Sequence, residues 1–143
     1  MTLVTQDRSI ENKIAFHVRR VNGMAEGAAP QLDLVVHGRS IAQLRTNIAS
    51  ALNICFGQER RFQILVGRRR DHQDGVDSAS MCPGDEVVMI VDPPPQYAGS
   101  RGAHAVVVSA SEHVYVQFEG GMLETYPLRL FLTFFVRVPR AKA

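Results

Sequence analysis

The stretch GDEVVMIVDPPPQYAGSRGAHAVVV, residues 84–108, decides the fold. Residues 85–92 form a Val-rich run, Pro93-Pro94-Pro95 stops it, and Tyr97-Ala98-Gly99-Ser100-Arg101-Gly102 turns the chain into a second Val-rich run. Proline cannot donate to a sheet ladder and glycine supplies the backbone freedom of a tight turn, so the pattern is strand, stop, turn, strand. Val87, Met89 and Val91 fall on one face and Val88 and Ile90 on the other, which predicts a strand covered on both sides.

Downstream the grammar repeats. Residues 104–108 and 113–118 form a hairpin with Val114, Val116 and Phe118 inward and His113, Tyr115 and Gln117 outward. Glu119-Gly120-Gly121 is a turn, residues 122–126 are a strand, and Pro127 suits the first position of a short helical turn through Phe131. Residues 132–138 are expected to be the closing strand, ended by Pro139. The tail is strongly apolar (Leu128, Leu130, Phe131, Leu132, Phe134, Phe135, Val136, Val138). A small barrel has few interior places for so many large side chains, so part of the set is expected to cover the other half of the chain or, failing that, a second copy.

Upstream, Ile14, Phe16 and Val18 alternate with Ala15, His17 and Arg19 as in a half-buried strand. Asn22-Gly23 is a hairpin signal, residues 24–29 are a second strand, and after Pro30 the alternation of Leu32, Leu34 and Val36 with Asp33, Val35 and His37 predicts a third. Ser40 and Gln43 form a capping box that opens a helix whose apolar stripe is Ile41, Leu44, Ile48, Ala51, Leu52 and Cys55, with Gly57 as its left-handed terminator. Phe62, Ile64 and Val66 read as a fourth strand. The polar run from Arg68 to Gly75 divides the chain into a first domain of residues 1–70, a linker of 71–81 and a second domain of 82–143.

Two resemblances follow from these patterns. The order β-β-β-α-β, carried by residues 14–21, 23–30 and 34–41, resembles the HicB-like fold, a small sheet with one helix on a face. HicB proteins are antitoxins that neutralise a small ribonuclease and usually add a DNA-binding unit, so the resemblance implies an antitoxin-like or DNA-linked role. The spacing of residues 84–108 resembles the KOW-type SH3-like barrel, which implies a groove for peptides or bases. The expected fold class is therefore α+β: an N-terminal HicB-like sheet with one helix, followed by a C-terminal SH3-like β-barrel.

Composition narrows the function classes. No apolar run approaches the roughly 18 residues of a membrane helix, and the polar N-terminus lacks a signal peptide's apolar region, so a cytoplasmic protein with no membrane partner is expected. Two distant cysteines, Cys55 and Cys82, give no disulfide framework. The five histidines (His17, His37, His72, His104, His113) have no metal-ligand spacing, and nucleophile elbows, phosphate loops and dinucleotide fingerprints are absent. No metal, no cofactor and no catalytic set are expected. His17 and His37 are expected to face solvent on adjacent strands. Residues 1–71 carry eleven Lys/Arg against six Asp/Glu, and residues 72–143 five against eight. Nucleic-acid binding leaves a basic footprint, which the second half lacks.

The primary reading is a non-catalytic adaptor with a peptide or protein partner. Free strand edges accept an extended peptide as an added strand. The proposed contacts are Arg19, His37, Arg39, Arg68, Arg69 and Arg70, set to complement an acidic segment, with Tyr97 and Tyr115 as aromatic contacts. Such an architecture suits an accessory protein in the biosynthesis of ribosomally made, modified peptides. The alternative is a nucleic-acid-binding regulator of the HicB or KOW type. A third option is an enzyme subunit whose partner chain supplies the catalytic groups.

Overall fold

Asn22 and Gly23 both take positive φ, 51° and 80°, the paired left-handed geometry that suits the twist of a two-residue hairpin. The turn joins β1 (Ile14–Val21) to β2 (Met24–Ala29) in a register that runs from Val21↔Met24 to His17↔Ala28. The computed structural model describes residues 14–57, 61–66 and 81–140. Within them the architecture is α+β with strand predominating, two sheets and two helices. The Arg68–Arg70 run and residues 71–80 of the expected linker lie outside the described residues.

The first sheet has the order β3-β2-β1-β4, with β3 at Leu34–Gly38 and β4 at Phe62–Val66. β4 is parallel to β1, so the intervening helix α1 (Ile41–Phe56) crosses from one edge of the sheet to the other. Ser40 Oγ accepts the Gln43 N–H at 3.1 Å, while Gln43 Oε1 reaches back to the Arg39 N–H at 2.6 Å. Gly57 closes the helix at φ 77°, its N–H donating to the Asn53 carbonyl. Leu44, Ile48, Ala51 and Leu52 are fully buried with Phe16 and Val36. The helix enters so close to β3 that a Cβ on Gly38 would stand 2.6 Å from the Leu44 nitrogen.

The third strand begins at Leu34, not Leu32. Pro30–Leu32 form a 3₁₀ turn and Asp33 takes a left-handed φ of 55°. Alternation alone did not reveal this, because proline's fixed φ favours a turn start as readily as an extended one. Asp33 is instead a clasp: its carboxylate accepts from Arg137 Nη2 at 2.8 Å and from the Arg140 N–H at 2.9 Å.

The second sheet is antiparallel with the order β8-β7-β6-β5-β9. Its strands are β5 (Glu86–Met89), β6 (His104–Ala110), β7 (His113–Phe118), β8 (Leu123–Pro127) and β9 (Phe135–Arg137). Among the described residues no ladder joins β8 to β9, so both are sheet ends. Between them lies helix α2, Leu128–Phe134, longer than the turn expected through Phe131 and displacing the first part of the expected closing strand. A short segment apolar at all but Arg129 and Thr133 shows neither a clear helical nor a clear strand period. The Thr133 hydroxyl, bonded to the Arg129 carbonyl one turn back at 3.0 Å, sits within the helix.

β5 is covered on both sides, as its sequence predicts. Val87 and Met89 join the core formed by Val114, Val116, Phe118, Tyr126, Phe131 and Phe135. Val88, Ile90 and Val136 join the other core, with Phe16 and the buried stripe of α1. The apolar tail divides in the same way: Phe131, Leu132, Phe134 and Phe135 fill the second core while Val136 and Val138 pack on the first. Polar bonds cross the same seam, from Asn47 Nδ2, which also donates to the His37 carbonyl at 2.9 Å, to the Thr133 carbonyl at 3.4 Å, and from the Ser50 hydroxyl to the Ile90 carbonyl. No helix among the described residues is long and apolar enough to cross a membrane.

Candidate functional site

Of the sequence-predicted contact residues, those described occupy four separate places, while Arg68, Arg69 and Arg70 lie outside the described residues. Arg19 lies opposite Glu26 across the β1–β2 ladder, and its Nε donates to Glu26 Oε1 at 2.7 Å. His37 lies opposite Glu26 on the other side, across β2–β3, with its Nε2 3.1 Å from Glu26 Oε2. The three side chains form one polar row across the sheet face turned away from α1. His37 is not solvent-facing as expected: it is 4% exposed, and Glu26 2%. The reason is tertiary, since α2 and β9 pack over β3 and cover a face that strand alternation marks as outward. Burial pushes the Glu26 carboxyl up, but hydrogen bonds and charge from His37 and Arg19 outweigh it and hold the group below the ordinary glutamate value.

Arg39 is exposed at the start of α1. Tyr97 is half-buried, stacked on Tyr126 with centroids 5.2 Å apart and edge-on to Phe134. It therefore closes the rim of the second core. Tyr126 in turn donates its hydroxyl to the Ala98 carbonyl at 3.1 Å, which ties the 97–98 turn to β8. Tyr126 faces Val114 in the β7–β8 ladder and both are buried, so Tyr115, the next residue of β7, projects from the opposite face. Tyr97 and Tyr115 are thus separated by the sheet and do not share a groove.

Tyr115 belongs to a different surface. Val106, Gln117 and Leu123 stand side by side across β6, β7 and β8, and Tyr115 is paired with Thr125 on the same face. A register shift between Val107 and Ser109 inserts Val108 as an extra residue, so that Val108 and Ser109 are both exposed. Leu123 is 62% exposed and Tyr115 47%, with Val106, Val108 and Met122 also open. At the β5–β9 end the same face is sealed, because Val88 and Val136 pack into the first core. The open part is therefore a face on which Val106, Leu123 and Tyr115 stand among Gln117, Ser109 and Thr125, on a sheet whose other end is fixed.

This area ends at a strand edge. β8 is hydrogen-bonded to β7 on one side, and among the described residues no strand pairs with its other side. Along one border a shallow cleft of about 190 Å³ opens between Glu86, His104, Val106, Gln117 and Glu119. A second cleft of about 390 Å³, mixed in polarity, lies between α1 and the end of β5, where Thr46, Asn53, Ile90, Val91, Asp92 and Arg101 meet.

For chemistry the described residues offer little. No group of three or more His, Cys, Asp or Glu among them is placed to hold a metal ion. Cys55 is half-buried on α1 and burial pushes its thiol up to about 11, which suppresses the nucleophilic thiolate. Cys82 is exposed beside a turn in which its own N–H donates to Asp85 Oδ2 at 2.9 Å.

Sequence reasoning missed Glu26 and Asn47. The first was legible: with Asn22-Gly23 as a two-residue turn, counting back along both strands sets Arg19 against Glu26, an opposite-charge cross-strand pair. Asn47 carried no such signal, because its partners lie on β3 and, far along the chain, on α2.

Comparison of the chain with family models, curated proteins and solved structures finds no match.

Proposed function

We propose that this chain is a non-catalytic peptide- or protein-binding accessory protein that takes an extended segment as an added strand along β8. The observation that carries this reading is the coincidence of a free strand edge with an open apolar face, Tyr115, Leu123, Val106 and Val108, on the same sheet. Backbone pairing at an edge supplies affinity, and side chains at alternate positions of the guest meet the face beside it. A rigid platform favours such docking, and β5 provides one by contributing to both cores.

The finer architecture fits the same view. The strand–strand–strand–helix–strand order of the first unit supports the HicB-like reading, and the five antiparallel strands of the second support the SH3-like one. We read residues 1–70 and 82–143 as two units joined by 71–81, in a cytoplasmic protein that presents a peptide to a partner enzyme, as in modified-peptide biosynthesis. A nucleic-acid regulator is the competing function, and strands β6, β7 and β8 contain no Lys or Arg with which to neutralise phosphate.

Hydrogen exchange of the β8 amides tests the reading directly. Extended peptides encoded by adjacent genes should bind saturably and slow exchange from Leu123 to Tyr126, with little loss of affinity as salt rises. Binding that leaves these amides unchanged, or that collapses steeply with salt in the presence of RNA or DNA, overturns it.

A further inference from the structure

The charge distribution around β8 identifies the chemistry of its guest. Residues 104–127 contain no Lys or Arg and three glutamates, in a chain of formal net charge +2. Glu112 and Glu119 close the two ends of β7, the strand beside β8, and Glu124 lies on β8 opposite the buried Val116. Glu119 is exposed in the turn that leads into β8. Glu112 is exposed at the other end, where its carbonyl accepts the Leu128 N–H at 3.0 Å just past the strand. Glu124 lies on β8 itself, half-buried, accepting from the Ala98 N–H at 3.3 Å. The next cations along the chain point elsewhere: Arg101 lines the cleft against α1, and Arg129 Nη2 donates to the Asn22 carbonyl at 3.3 Å.

We infer that the strand received by β8 is an apolar one closed by basic residues. This rests on the strand-addition reading and adds to it the identity of the guest. The site is the edge and its apolar face; the carboxylates select among strands that fit. Glu112 and Glu119 stand seven residues apart at the ends of β7, which at the usual strand rise is about 23 Å. A guest with a short alternating apolar stretch between two lysines or arginines meets Leu123 and Tyr115 with its centre and a carboxylate at each end. A second copy of this chain is the wrong occupant. Antiparallel self-pairing at β8 brings together two surfaces of the same negative sign, with no Lys or Arg in residues 104–127 to offset them.

Two blocked peptides of alternating valine and threonine, one closed by lysine at each end and one by glutamate, test this by calorimetric titration at low salt, with β8 amide exchange read in parallel. The lysine-closed peptide should bind about tenfold more tightly, and the double variant Glu112→Gln, Glu119→Gln, altered only at exposed turns, should abolish the difference. Equal affinities, or preference for the glutamate-closed peptide, overturn the basic-guest inference and leave strand addition standing. Failure of both peptides to bind or to protect β8 removes the strand-addition reading and the inference with it. Concentration-dependent dimerisation through β8, seen by sedimentation and competed by the peptides, also overturns the choice of guest.

Discussion

His37 Nε2 donates to Glu26 Oε2 at 3.1 Å where neither side chain has appreciable contact with solvent. The pair sits on the sheet face over which α2 packs, so a polar contact has been placed where the two halves of the chain meet. Removing either member leaves the other buried without it, and breaking a buried pair in this way costs about 3 kcal/mol. We expect Glu26→Ala and His37→Ala to lose that much unfolding free energy, seen as a lower urea midpoint at unchanged m-value. Arg19→Ala should cost less, because Arg19 is 38% exposed and water can take its place.

The same carboxylate gives the protein an acid-sensitive limb. Glu26 titrates below the ordinary glutamate value of 4.5. A group with a depressed folded pKa contributes stability that is complete above the unfolded pKa and is lost as pH falls through the folded one. Stability should therefore hold at neutral pH and decline below 4.5. Glu26→Gln should be less stable at neutral pH and flatter below it, measured as urea midpoints from neutral pH to about 3.

What the sequence showed of this fold follows from where its signals are local. The Asn22-Gly23 turn, the Ser40 cap, the Gly57 stop and the two-sided burial of Val87–Ile90 each act through neighbouring residues and are present as read, although the strand expected over 85–92 ends at Met89. The missed features depend on distant packing. His37 is buried by α2, and residues 132–134 are helical although the segment, apolar but for Arg129 and Thr133, shows no clear period. The candidate site was half legible. Alternation placed Tyr115 outward, but the bulge at Val108 and the exposed row from Val106 to Leu123 require the register of three strands.

The seam through β5 predicts how the chain unfolds. Ile90 is fully buried in the core that also holds Phe16 and Leu52, while Met89 beside it belongs to the other core. Ile90→Ala should cost about 2–5 kcal/mol. There is no Trp, and the three tyrosines, Tyr97, Tyr115 and Tyr126, all lie in the second unit, so tyrosine fluorescence reports on that unit alone. If the shared strand couples the halves, fluorescence and far-ultraviolet circular dichroism should trace one transition in the wild type and in Ile90→Ala. Separate transitions would show that the cores unfold independently.

Gly38 sets the entry of α1. A methyl at this position would stand 2.6 Å from the Leu44 nitrogen and 2.8 Å from its Cα, both backbone atoms that cannot rotate aside. Gly38→Ala should therefore push the helix from β3 and cost about 1–3 kcal/mol, the usual penalty of overpacking. Gly57→Ala tests a different mechanism, because a Cβ there meets nothing and only the left-handed φ of 77° is strained. Its cost should be about 1 kcal/mol, with the helix end fraying in hydrogen exchange while the core amides stay protected.

Leu123 and Tyr115 separate binding from stability. Both are large side chains that the fold does not bury, so trimming them removes little packing, and surface changes of this kind stay within about 0.5 kcal/mol. If their exposure serves a guest strand, Leu123→Ala and Tyr115→Ala should weaken peptide binding several-fold while the unfolding midpoint is unchanged. Tyr97→Ala is the opposite case: its ring stacks on Tyr126 at 5.2 Å and closes the second core, so its loss should lower stability and affect binding only through that. A result in which all three variants bind peptide as the wild type does, with Tyr97→Ala alone destabilised, would remove the open face of β6, β7 and β8 from the binding mechanism.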